Sequence, residues 1–133
     1  MIAAVADTHA AIWYLMGDPR LSGVAREFID RSAANREKVA VSTITLAEVV
    51  CLIEKRRIQE IVFGGLIEAL RRPNGVLLGA PVDEGVVERM RQVSRADVPD
   101  LPDRIISATA LRFGVPVISR DRQIRAAGLQ TVW

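Results

Sequence analysis

Residues Ile2 to Ala6 read IAAVA, five side chains with nothing polar among them, and the run ends abruptly in Asp7-Thr8-His9. A continuous apolar run of that length fits a strand covered on both faces, as in a parallel sheet. Such a strand constrains everything after it, because strands alternating with helices imply a parallel sheet wrapped by helices. The run also raises a chemical question. An ionised carboxylate resists burial unless something pairs with it, so Asp7 at the end of the most buried strand either caps the next helix or belongs to a site.

The remainder of the chain keeps the expected alternation. A short helix is predicted over Ala10 to Met16, closed by the turn signal Gly17-Asp18-Pro19-Arg20. Ser22 is a good N-cap for a helix over Gly23 to Asn35 with Val24, Phe28 and Ile29 at helical spacing. A strand over Val39 to Val41 leads to a helix opened by Thr43 or Thr45, with Leu46, Val49, Val50 and Ile53 apolar. A helix over Ile58 to Arg72 turns Ile61, Val62, Leu66 and Leu70 inward, and Val76 to Leu78 forms a third strand. Asp83 starts a helix that continues to Val93; SRADVPDLP is a loop. Asp103 to Phe113 is a helix, Val115 to Ile118 a strand, Asp121 to Ala127 a short helix and Leu129 to Val132 a closing strand. The reading is α/β, one domain over residues 1–133.

Composition narrows the class. With 133 residues, 50% apolar and 26% charged, the chain can bury a core and is unlike a disordered one. No apolar run approaches the roughly 20 residues that span a bilayer, and the first residues lack a signal-peptide pattern, so a cytoplasmic location is expected. Cys51 stands alone, which excludes an internal disulfide and a CxxC motif; it reads as a small hydrophobe in a helix. Net charge is only +2, yet every one of the 18 cationic residues except Lys38 and Lys55 is arginine, whose planar fork suits phosphate.

Ligands in open α/β sheets bind beyond the carboxyl ends of the strands, and several acids map there. Asp7 follows the first strand, Glu48 lies early in the helix after the second, and Asp121 follows VPVIS. Asp100 and Asp103, spaced i, i+3 at a helix start, share one face. Two carboxylates about 4 Å apart repel by about 4 kcal/mol at an effective dielectric near 20, so some protonate or a cation neutralises them. Oxygen donors without a histidine or cysteine cluster suit Mg²⁺ or Mn²⁺ rather than zinc. The chemistry this suggests is metal-assisted phosphodiester hydrolysis.

The stretches VADTHAAIWYL, VSTITLAEVV, PDLPDRIISATAL and PVISRDRQI, in this order, resemble PIN-domain proteins and in particular VapC-type toxins of bacterial toxin–antitoxin modules. The resemblance covers essentially the whole chain. It implies a PIN-like fold with a central, mostly parallel sheet flanked by helices, and a metal-dependent endoribonuclease acting on RNA. It further implies an acidic quartet holding Mg²⁺ or Mn²⁺, falling here on Asp7, Glu48, Asp103 and Asp121. Thr8 and Ser119 match supporting hydroxyls, and Asp100 matches a further acid often found three residues before the third. The family commonly reads Asp-Pro-x-Asp where this chain has Asp-Leu-Pro-Asp, which bears on Asp100 more than on Asp103. A homodimer and a cognate antitoxin that covers the site are also implied. The competing reading is a catalytically silent PIN fold serving as an RNA-binding or interaction module.

Other side chains carry weaker expectations. Arg104, Arg120 and Arg122 lie nearest the acids in sequence and are the candidate RNA phosphate contacts. His9 is expected to pack or solvate at a helix start, and Trp13 and Tyr14 to lie in a core or subunit interface. A receiver domain would need an acid pair at the first strand and a late lysine, and a haloacid-dehalogenase-like phosphatase would need Asp-x-Asp where residue 9 is His9. Neither fits.

Overall fold

A computed structural model describes all residues, Met1–Trp133. Five strands form one wholly parallel sheet: β1 (Ile2–Ala6), β2 (Lys38–Ser42), β3 (Leu77–Ala80), β4 (Val117–Ile118) and β5 (Thr131–Val132). Their spatial order is β3-β2-β1-β4-β5, so β1 is central. Seven helices cover the sheet: α1 (Thr8–Met16), α2 (Gly23–Ala34), α3 (Thr43–Glu54), α4 (Ile61–Arg71), α5 (Glu84–Met90), α6 (Leu101–Phe113) and α7 (Arg122–Ala126).

The alternation of side chains along β1 sorts the helices into two layers. Ala4 and Ala6 join Val39 and Val41 of β2 in a core closed by α1 to α4, where Ile12, Ile29, Val49 and Leu66 are buried. Val5 and Ala40 face the other layer, against Ile106 and Ala110 of α6 and Ile124 of α7. Burial on both faces is why IAAVA needs no polar position. The chain moves outward from β1 to β3 on one side, then returns to lay β4 on the other side of β1. The β1–β4 seam is therefore the switch point, where a crevice opens beyond the strand ends.

Several boundaries differ from the sequence expectation, each for a local reason. The α4 helix begins at Ile61 rather than Ile58, because α3 ends in a double closure before it. Arg57 N–H bonds the Leu52 carbonyl and Arg56 N–H the Ile53 carbonyl, with Arg56 left-handed at φ 57. That closure usually recruits glycine, and an arginine gives no warning of it. Ile61 is 70% exposed; Val62 and Leu66 carry the inward stripe instead. Val24 and Val50 are likewise exposed, as is the Cys51 thiol, which is therefore not a core residue. The third strand is shifted to Leu77–Ala80 in register with β2.

Helix α5 ends at Met90, short of the expected Val93, and the turn beyond it is held by Arg104 of α6. The Arg104 guanidinium donates to the Met90 carbonyl at 3.1 Å and twice to the Val93 carbonyl, at 3.0 and 3.3 Å. These bonds satisfy carbonyls that a helix end leaves unpaired and tie the start of α6, which bears Asp103, to the preceding turn. We expect Arg104→Met to lower unfolding free energy by about 1–3 kcal/mol, measured by urea titration; an unchanged midpoint would show that the turn holds without the arginine.

Candidate active site

The carboxyl ends of β1 and β4 place the first pair of acids. Asp7 N–H donates to the Ile118 carbonyl at 3.1 Å, extending the β1–β4 ladder one residue past the strand. Its carboxylate caps α1 by accepting the Ala10 amide at 2.9 Å. Ser119, fully buried after β4, accepts the Asp121 amide at 3.0 Å, and its hydroxyl favours the charged form of the Asp7 carboxyl. Ser119 thus fixes the backbone at Asp121 through its lone pair. The Asp121 carboxylate caps the α7 helix, accepting the Gln123 amide at 2.7 Å.

The remaining acids come from helices on the two layers. Glu48 lies in the second turn of α3, where its Oε1 accepts the Thr8 hydroxyl at 2.5 Å. The Thr8 oxygen also lies 3.1 Å from the buried Thr45 hydroxyl. Because the single Thr8 proton goes to Glu48, Thr45 is the donor in that second bond. Asp100 caps α6 by accepting the Asp103 amide at 3.1 Å, and Pro102 fits the first turn, where no amide donor is required.

All five acids line one cleft of about 720 Å³, together with Thr8, His9, Trp13, Arg120, Arg122 and Trp133. Burial pushes the Asp7 carboxyl above its ordinary range despite the opposing influence of the Ser119 hydroxyl and the Ala10 amide. Asp103 is raised to about 7, first by burial and then by the negative charges of Asp100, Asp121, Asp7 and Glu48. Those repelling neighbours join four separate chain segments to one electrostatic site. No three acidic side chains are yet grouped closely enough to share one ion. The donor set nevertheless suits a hard divalent cation: its acidic donors are all carboxylate oxygens, and those of Asp7, Glu48, Asp100 and Asp121 are each steadied by an amide or hydroxyl.

The expected supporting hydroxyls, Thr8 and Ser119, both contact acids of the cleft. Arg120 and Arg122 line it, but Arg104 does not, because its guanidinium serves the carbonyls of Met90 and Val93. His9 lines the cleft, with its ring 5.5 Å from the Trp13 ring. Trp13 is core, as expected, at 3% exposure, yet its indole also forms part of the cleft wall. Sequence reading overlooked Thr45 and Trp133. Thr45 precedes Glu48 by three residues on one helix face, and Trp133 directly follows β5, at the same sheet edge as Asp7 and Ser119.

Residues 4–129 match the PIN domain family model. The chain belongs to the PIN domain family. This PIN domain is 25% identical over 126 residues to ribonuclease VapC22 of Mycobacterium tuberculosis, covering 95% of the chain and 92% of that protein. Its fold is similar to the crystal structure of VapBC2 from Rickettsia felis bound to a promoter DNA fragment. There the TM-score is 0.71 at 16% identity, covering 98% of this chain and 97% of that one. It is also similar to Mycobacterium tuberculosis VapC20, a sarcin–ricin-loop-cleaving toxin, with a TM-score of 0.63 at 22% identity over 97% and 96% of the two chains.

The raised Asp103 carboxyl makes metal-free stability depend on pH. Unfolded, Asp103 ionises near 3.8; folded, near about 7. Between those values the folded protein keeps a proton that the unfolded chain has released, so the group's stabilisation is complete at low pH and fades as pH rises through about 7. We expect the unfolding midpoint of chelator-treated protein to fall between about pH 4 and about pH 7 relative to that of Asp103→Asn, which lacks the titrating group. A difference that stays flat across that window would contradict the clustering.

Proposed function

We propose that this PIN domain, spanning residues 1–133, is a metal-dependent endoribonuclease, the toxin of a type II toxin–antitoxin module, acting on cytoplasmic RNA. The observation that carries the reading is the convergence of Asp7, Glu48, Asp103 and Asp121 on one cleft, with Asp103 held near neutral pKa by burial and the charge of the others. Likeness to ribonuclease VapC22 along nearly the whole chain supports the same class.

In this reading the four carboxylates hold Mg²⁺ or Mn²⁺, and Asp100 remains the cap of α6. Bound there, the cation supplies charge neutralisation at the phosphate and acidifies water for in-line displacement. The protein's own share is orientation. The Ala10 amide fixes the Asp7 carboxylate, and Thr8, backed by Thr45, turns Glu48 toward the cleft. Arg120 and Arg122 meet the RNA phosphates. Approach of RNA then weakens with salt, as phosphate contacts require. A homodimer and a cognate antitoxin that covers the cleft complete the assembly; a fold relative from Klebsiella pneumoniae is a toxin–antitoxin complex.

Asparagine keeps the shape of aspartate and can still accept an amide bond at a helix cap. Asp7→Asn and Asp103→Asn are therefore expected to reduce metal-dependent RNA cleavage by about 100-fold or more, while metal-free stability stays level or rises as repulsion is removed. Cleavage that persists while stability drops by about 1 kcal/mol would mean that the acids serve only as caps.

A further inference from the structure

Beside its carboxylates the cleft holds an arginine–tryptophan arrangement that the acid chemistry does not use. The Arg120 guanidinium carbon lies 4.7 Å from the centre of the buried Trp13 indole, and that of Arg20 lies 5.0 Å from it. The two cations differ in what they have left to bind. Arg20 is occupied by Asp18, which accepts from its Nε and, at 2.7 Å, from its Nη2. Arg120 is exposed, lines the cleft and has no carboxylate partner among the ion pairs of the protein. Its backbone position is fixed too, since it stands between Ser119, whose amide bonds the Val132 carbonyl, and Asp121, whose amide bonds the Ser119 hydroxyl.

A phosphate entering a cleft of five acids is repelled unless a cation meets it, and an arginine fork grips phosphate oxygens in pairs. A free arginine gives up rotamer freedom when it does so. One already laid over an indole has surrendered part of that freedom beforehand, which strengthens binding without any new contact. Arg122 lines the same cleft without an aromatic ring beneath it. We propose that Trp13 is a positioning residue that presets Arg120 as the clamp for a backbone phosphate of the RNA at the mouth of the acidic cleft. This deepens the ribonuclease reading and rests on it.

The test measures binding of a fluorescein-labelled, mixed-sequence single-stranded RNA by anisotropy, from about 50 to about 300 mM salt. The full chain carries Asp103→Asn, with Mg²⁺ present, so that the RNA survives. Adding Arg120→Ala should weaken binding about tenfold and lower the salt slope by about 0.7, one single-strand phosphate contact. Adding Arg120→Lys should keep the slope, because the charge stays, but regain only part of the affinity, because an ammonium has no plane to lie on the indole. Adding Trp13→Leu should weaken binding with the slope unchanged, and Arg120→Lys should then cost nothing further. Full affinity for Arg120→Lys overturns the role of Trp13 even if Trp13→Leu does not fold. Unchanged affinity and slope for Arg120→Ala, in a protein whose wild type cleaves RNA, overturns the clamp and leaves the ribonuclease reading standing. A wild type that neither binds nor cleaves RNA overturns both.

Discussion

Five carboxylates share the mouth of one crevice, and like charges in partly buried surroundings cannot all remain ionised without a counter-charge. The fold does not relieve this repulsion; it creates it. Placing β1 at the centre, with β2 on one side and β4 on the other, brings the ends of three strands and the start of α6 to one edge. Three of the acids are each held by a bond within the cleft wall: Asp7 by the Ala10 amide, Glu48 by Thr8 and Asp121 by its own helix cap. Asp103 is raised to about 7 first by its own burial and then by the charges of these neighbours.

Helix capping and cation binding are not rival explanations for these residues. Asp7, Asp100 and Asp121 each accept a backbone amide at a helix start, which partly offsets the cost of placing a negative charge there. A carboxylate has lone pairs to spare beyond one amide bond, so a capping acid can still face a cation. The caps fix where the acids stand, and their convergence makes a cation favourable.

The sequence carried the architecture because its signals were local. IAAVA had to be a doubly covered strand, and Asp7, Asp121 and the Ser22 cap stood where the chain turns from strand or loop into helix. What escaped were features set by long-range contact. Arg104 sits beside Asp103 in sequence, yet its side chain turns to the carbonyls of Met90 and Val93 at and just beyond the end of α5, a destination that depends on how two helices pack. Arg56 ends α3 in a left-handed conformation that no glycine announces. Trp13 reads as a core residue and is one, but its closeness to Arg120, far along the chain, arises only when β4 is laid beside β1.

The central claim is that the acidic cleft is built for a divalent cation, and direct titration of the folded protein tests it. The unfolding midpoint is measured in chelator and then with increasing Mg²⁺ or Mn²⁺ at neutral pH, for the wild type and for Asp7→Asn. Linkage requires a saturable site to add about 2.7 kcal/mol at a cation concentration 100 times its dissociation constant. The expected result is a midpoint that climbs with cation concentration in the wild type and climbs far less in the variant. A wild-type midpoint that does not move, or one that moves equally in both proteins, would contradict the claim.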